Sequence, residues 1–251
     1  DWDIDSDGDL DLIIGERAIP FSYGLPAGLQ LWENNGKGEF TDISERYVAD
    51  LNPLGLLRDG AISDLDQDGI PELIVVGEWM PLRIFSMNSE SWTDRTTEFG
   101  FTNTSGLWQE IKIVDLNKDG LPDILAGNWG LNSRIRSNET NPLKMIINDF
   151  DANGSTDPIM AFESEGEHIP YVLKNTLLKQ IPGLRKQLLT YDSYKDKTLE
   201  ELFGDEILSK SVTLGAENLA SSLWLNQGNG AFKSIQLPHE AQLSPIFSFE
   251  S

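Results

Sequence analysis

Asp64-Leu65-Asp66-Gln67-Asp68-Gly69-Ile70-Pro71-Glu72, running directly into Leu73-Ile74-Val75-Val76-Gly77, is the stretch whose reading decides the fold. Oxygen-bearing side chains at the first, third and fifth places converge when the chain curls, and a glycine at the sixth permits the backbone reversal that completes the curl. The apolar run that follows is short, rich in β-branched residues and closed by glycine, which reads as a strand. The pattern D-x-[DN]-x-[DN]-G-x-x-[DE] occurs four times, starting at residues 3, 64, 115 and 149. Leu12–Gly15, Ile124–Gly127 and Pro158–Ala161 take the place of the apolar run in the other copies.

Alternating oxygens of this kind suit a hard cation that takes several oxygen ligands at about 2.3–2.6 Å, so the loops predict up to four Ca2+ sites. The predicted side-chain ligands of the first two are Asp3, Asp5, Asp7 and Asp11, then Asp64, Asp66, Asp68 and Glu72. Those of the last two are Asp115, Asn117, Asp119 and Asp123, then Asp149, Asp151, Asn153 and Asp157. The seventh place, held by Asp9, Ile70, Leu121 and Ser155, is expected to offer its backbone carbonyl. An EF-hand is excluded, because its loop runs to a bidentate Glu at the twelfth place and lies between helices. Asp, Asn and Gly also favour turns without any metal, but four matched clusters of like charge are self-repulsive unless a cation joins them. Affinity follows ligand charge. The first two loops, with four acids each, are therefore expected to bind more tightly than the third and fourth, where Asn117 and Asn153 replace an acid.

Those loops hold fourteen ligand carboxylates and carry much of the formal charge of −22, which comes from 41 acidic against 19 basic residues. Such a balance argues against nucleic-acid and anionic-membrane partners, which require clustered cations. Absent cysteine removes disulfides and thiolate chemistry. No run approaches the roughly 20 apolar residues of a membrane span, so direct membrane insertion is not expected.

A second signature follows at a distance. Leu29–Phe40 and Ser222–Phe232 both place alternating apolar residues around an Asn/Gly cluster, and Leu82–Trp92 is a degenerate version; each reads as a β-hairpin. Strand, loop, strand and hairpin together make a four-stranded antiparallel blade. The fold expected is all-β, a partial β-propeller with calcium loops and a small helical insertion. Its repeat units fall at about 1–59, 60–107, 108–142 and 143–236, with 237–251 opening the next. The third unit lacks a clear outer hairpin. The insertion, 165–217, contains the capping-box spacing Thr198–Glu201, a helical stretch from Leu173 to Leu189 broken near Pro182-Gly183, and seven basic residues. Those bases make either a solvated face or a partner-docking surface. Leu243–Phe249 reads as an introductory strand without its loop, so remaining propeller blades of a longer chain are expected as partners.

These residues resemble the FG-GAP/VCBS repeats of integrin α-subunit propellers. The order of Asp3–Gly15, Leu73–Met80, Gly127–Arg134, Asp149–Ile159 and Leu237–Ile246 is similar to bacterial relatives of cartilage acidic protein, many of which carry an ASPIC/UnbV domain. The resemblance implies a propeller, calcium and an extracytoplasmic place in a bacterium.

The leading expectation is a calcium-stabilised binding or adhesion module for a protein or carbohydrate partner, with no catalysis. The alternative is a calcium-dependent carbohydrate-active enzyme such as a polysaccharide lyase, which needs a base; His168 and His239 are the available imidazoles. Trp79, Trp108 and Trp129 offer carbohydrate-stacking faces or, by the stronger reading, core packing.

Overall fold

Three of the acidic loops sit where one strand hands over to its antiparallel neighbour, and the first leads directly into a strand. The computed structural model describes residues 2–5, 7–87, 91–164 and 166–250. The chain divides into two units, one of Asp1–Arg17, Pro26–Arg134 and Leu219–Ser251, the other of Ala18–Leu25 and Ile135–Asn218.

In the first unit, β1 (Leu12–Gly15), β2 (Leu29–Asn34) and β3 (Phe40–Asp42) form a three-stranded sheet that begins directly after the first loop. The second sheet runs in chain order through β4 (Leu56–Ser63), β5 (Glu72–Met80), β6 (Arg83–Met87) and β7 (Trp92–Asp94), with the short β8 (Gly106–Leu107) on the end of β5. Its second loop joins β4 to β5. Every residue of β5 is buried: Leu73 and Val75 join one core cluster with Leu29 and Leu31, while Ile74 and Val76 join another with Trp108 and Trp224. Burial on both faces is why this strand is a continuous apolar run without period-two alternation. The turn Asn88–Glu90 of the degenerate hairpin lies outside the described residues.

The third sheet starts with β9 (Glu110–Val114) and β10 (Asp123–Gly127), joined by the third loop. Here the chain leaves for the second unit. There β11 (Leu143–Asn148), the fourth loop, β12 (Asp157–Ser164), β13 (Glu167–Pro170) and β14 (Val212–Ala216) form a sheet of order β13-β12-β11-β14. The chain then returns as β15 (Ser222–Asn226) and β16 (Phe232–Gln236), which complete the third sheet in the order β16-β15-β10-β9.

Two expectations change. The hairpin 222–236 belongs to the third sheet, not to a fourth unit 143–236, because Ile124, Leu125 and Ala126 pair with Trp224, Leu223 and Ser222. Trp224 also seats its ring edge-to-face on Trp108 and Phe101, at 5.5 and 5.4 Å, so packing and pairing choose the same partner. The fourth sheet, moreover, does not repeat the order of the second and third. In those, the strand before the loop is an edge; β11 is instead covered by β14, since the chain returns on its far side after the helices. The inserted element is consequently larger than 165–217 and brings its own sheet.

Helices α1 (Ser44–Tyr47), α2 (Lys174–Gln180), α3 (Leu199–Phe203) and α4 (Asp205–Leu208) are short. In the second unit, Leu177, Leu199 and Leu202 pack on Ile146 and Ile159 of the sheet. At α3 both capping-box bonds form: the Glu201 amide donates to Thr198 Oγ1 at 3.3 Å, and the Thr198 amide to Glu201 Oε2 at 3.2 Å. Lys174 is buried, with its ammonium 5.3 Å from the Tyr191 ring centre, which removes it from any basic docking surface.

Leu243–Phe249 forms no strand. Even so, the Ile246 amide donates to the Asn128 carbonyl at 3.2 Å, as the Leu57 amide at the start of β4 does to Glu16 at 3.1 Å.

Candidate metal loops

The four loops share one hydrogen-bond plan. The first-place carboxylate accepts the amides of the fifth and sixth residues: Asp3 from Asp7 and Gly8, Asp64 from Asp68 and Gly69, Asp115 from Asp119 and Gly120, Asp149 from Asn153 and Gly154, all within 2.8–3.1 Å. The fifth-place side chain accepts the amide of the seventh, at 2.8–2.9 Å in every loop. Gly69, Gly120 and Gly154 have φ of 89°, 87° and 88°, and the fourth-place Gln67, Lys118 and Ala152 are also left-handed, at 61°, 62° and 57°. The sequence pattern had pointed only to the glycine. Backbone amides and two left-handed residues thus shape the loop before any ion is considered.

In three loops, carboxylate oxygens from the first, third and ninth places lie within 4.8 Å of one another: Asp3, Asp5 and Asp11; Asp64, Asp66 and Glu72; Asp149, Asp151 and Asp157. The corresponding places of the third loop are Asp115, Asn117 and Asp123. Asp7, Asp68 and Asn153, expected in the same shell, are engaged with the seventh-place amides. Asp66 Oδ1 and Asp151 Oδ1, both third-place atoms, are buried without a hydrogen-bond partner. A carboxylate oxygen withdrawn from water and given no N–H or O–H donor is costly unless a cation meets it. That donor set, all hard oxygens, fits calcium.

The ninth-place acid also fastens the loop to its sheet. Asp11, Glu72 and Asp123 are 0% exposed and Asp157 is 4%. One oxygen of each accepts the amide of the loop's second residue: Ile4, Leu65, Leu116 and Phe150, at 2.7, 2.8, 2.9 and 3.2 Å. In the first and third sheets the other oxygen reaches the hairpin, where Asn34 and Asn226 amides donate to Asp11 and Asp123 at 2.8 and 2.9 Å. These asparagines occupy one register position, two beyond the tryptophans paired with Leu12 and Ile124. Asn226 Nδ2 also donates to Leu65 O at 2.8 Å and Pro122 O at 3.1 Å, which ties the second loop to the third. Both asparagines open the Asn/Gly turns, yet nothing in a turn motif reveals a bond to a carboxylate 103 residues earlier.

The second loop is built differently. Met87 stands at the asparagine position, and Glu72 Oε1 instead accepts from Ser86 Oγ at 2.7 Å and Arg95 Nη1 at 3.3 Å. Arg95 Nη1 also donates to Asp66 Oδ2 at 3.0 Å. Burial pushes Glu72 above the usual carboxylate range, against the Leu65 and Ser86 bonds, and burial pushes Asp157 up as well. Beside the first loop, half-buried Glu33 is raised chiefly by a hydrogen bond shared with Asp5, which adds an acid that the motif did not include.

His168 lies on β13, its Nδ1 2.6 Å from Glu200 Oε1 at α3, a tie between strand and helix. His239 is exposed and opens a single turn, His239–Gln242. Trp79 and Trp108 are buried, so core packing accounts for both; Trp129 is half-buried.

Residues 64–126 match the FG-GAP-like repeat. The match opens on Asp64, at the first place of the second loop, and ends within β10, taking in β5 to β9 and the whole third loop but not β4. No curated protein and no solved structure matches the chain.

Proposed function

We propose that the chain is a calcium-stabilised binding or adhesion module, part of a β-propeller, that acts outside the cytoplasm on a protein or carbohydrate partner. The observation that carries the reading is the pair of buried, donorless oxygens, Asp66 Oδ1 and Asp151 Oδ1, each inside a three-carboxylate cluster. Side chains at the first, third and ninth places hold the ion, with backbone at the seventh; calcium, when bound, supplies the positive charge that lets these carboxylates stay ionised and close. Its role is structural. Kinship with the bacterial relatives of cartilage acidic protein rests on the residue resemblance and belongs to the same reading.

Extracellular calcium modules bind with dissociation constants of about 0.1–1 mM, which suits a compartment rich in the ion. A tenfold excess of calcium then stabilises by about 1.4 kcal/mol per site, and four such sites compare with the roughly 5–15 kcal/mol of a whole domain. Thermal melts followed by circular dichroism, in millimolar calcium and in excess EGTA, are the test. The melting temperature is expected to fall sharply on chelation; an unchanged melt refutes the reading.

A further inference from the structure

We infer that Arg95 is a tethered counter-ion of the second loop, which holds that loop together without calcium and lowers its calcium affinity. The inference rests on the calcium reading above and concerns how one of its sites is regulated.

Comparison of the three sheets of the first unit isolates this residue. Trp32 pairs with Asp42, Phe85 with Asp94 and Trp224 with Ser234, so the next residues, Ile43, Arg95 and Ile235, share one register position. Ile43 and Arg95 even make the same backbone bond, to Leu31 O at 2.9 Å and Ile84 O at 2.8 Å. Isoleucine fills the position in the first and third sheets. Only the second sends a guanidinium toward its loop.

That guanidinium is fixed at the carboxylates. Nη1 lies 3.0 Å from Asp66 Oδ2, 3.3 Å from Glu72 Oε1 and 3.1 Å from Ser86 Oγ, while Nε is 2.8 Å from Glu98 and the group covers the Phe99 ring at 4.8 Å. Two of the three clustered acids therefore touch a cation already. The longer Glu at the ninth place belongs to the same arrangement: the other three loops have Asp there, and in the first and third an asparagine amide takes the oxygen that Glu72 gives to Ser86 and Arg95. Asp66 Oδ1 stays without a donor, so the loop retains an oxygen for calcium.

Two consequences follow from charge. Without calcium, Arg95 relieves the repulsion among Asp64, Asp66 and Glu72, whereas no ion pair among the described residues does so for the acids of the first loop. With calcium, a fixed positive charge a few ångströms from a divalent ion opposes binding. Counting acids alone ranks the second loop with the first; including Arg95 lowers it to the level of the third and fourth.

Calorimetric calcium titration and EGTA melts of the full chain test this in Arg95→Met, Arg95→Lys, Asp64→Asn and the Arg95→Met/Asp64→Asn pair. Arg95→Met is expected to tighten one binding step at least tenfold, equivalent to about 1.4 kcal/mol, and to lower the melting temperature in EGTA. The gained step must vanish in the double variant. Arg95→Lys, which keeps the charge, should stay close to wild type in both measurements. Weaker or unchanged calcium binding in Arg95→Met, with calcium still bound at the other loops, overturns the inference alone, as does a lysine variant that behaves like methionine. Absence of calcium heat in wild type and all variants overturns the calcium reading as well.

Discussion

Replacing Asp123 by alanine separates the mechanical role of the ninth-place acid from its role toward an ion. The carboxylate is fully buried and accepts two amides at 2.9 Å, from Leu116 inside the loop and from Asn226 on the returning hairpin. Hydrogen bonds to a charged acceptor contribute about 1.5–3 kcal/mol each, and donors left buried without a partner add to the loss. Asp123→Ala is accordingly expected to cost about 3–5 kcal/mol, a fall in melting temperature on the order of 10 °C for a chain of this size. Urea unfolding in excess EGTA, followed by near-ultraviolet circular dichroism of the tryptophans, excludes any calcium contribution. Asp119→Ala is the control, since that exposed side chain accepts the Leu121 amide at 2.9 Å and Asn117 Nδ2 at 2.8 Å, both open to water; its cost in EGTA should be smaller, about 1–2 kcal/mol. The reasoning fails if the two variants are equally mild in EGTA and separate only when calcium is added, because Asp123 is then a ligand and not a clasp.

Other expectations bear on packing and charge. Gly77→Ala should destabilise strongly in the same urea assay, because an added Cβ meets the Leu56 carbonyl oxygen at 2.1 Å, inside the β4–β5 pairing. Trp224→Ala removes a ring packed against Trp108 and Phe101 and is expected to cost about 3–5 kcal/mol, read by chemical denaturation. Glu200 is lifted by burial but brought below the usual carboxylate range by its bonds from His168. The stability it confers is therefore present above its ordinary pKa and lost as pH falls through the lowered value. Glu200→Gln should flatten that part of the acid-unfolding profile monitored by far-ultraviolet circular dichroism, and an unaltered acid limb contradicts the assignment.

Local chemistry was legible in the sequence, and long-range closure was not. Each acidic loop is written in nine contiguous residues, and the left-handed glycines, the amide-accepting Asp at the first place and the following strand all depend on neighbours within that span. The hairpin at Ser222–Gln236 shows the opposite case. Its alternation and Asn/Gly turn identified a hairpin, but its assignment to the third sheet depends on Trp224 meeting Trp108 and on Asn226 meeting Asp123. An insertion of more than eighty residues lies between them. Proximity along the chain favoured the fourth loop as its partner, and pairing with β10 overrode it. Arg95 was illegible for a related reason: it follows its loop by twenty-three residues from Glu72, and only the register of β6 against β7 brings it back to the acids.

These features together divide the labour within one repeated loop. The first and fifth places spend their oxygens on the loop's own amides, so they set its shape whether or not an ion is present. The ninth place faces two ways, with one oxygen on the loop and, in the first and third sheets, the other on a neighbouring hairpin. On the calcium reading proposed above, charge neutralisation falls mainly on the third-place oxygens, since those of Asp66 and Asp151 include an atom that no donor meets. A preformed loop loses little conformational entropy when an ion binds, and repulsion among its acids is what the ion relieves. The second loop, where a guanidinium already lies beside two of those acids, is on this argument the member of the set whose shape depends least on calcium.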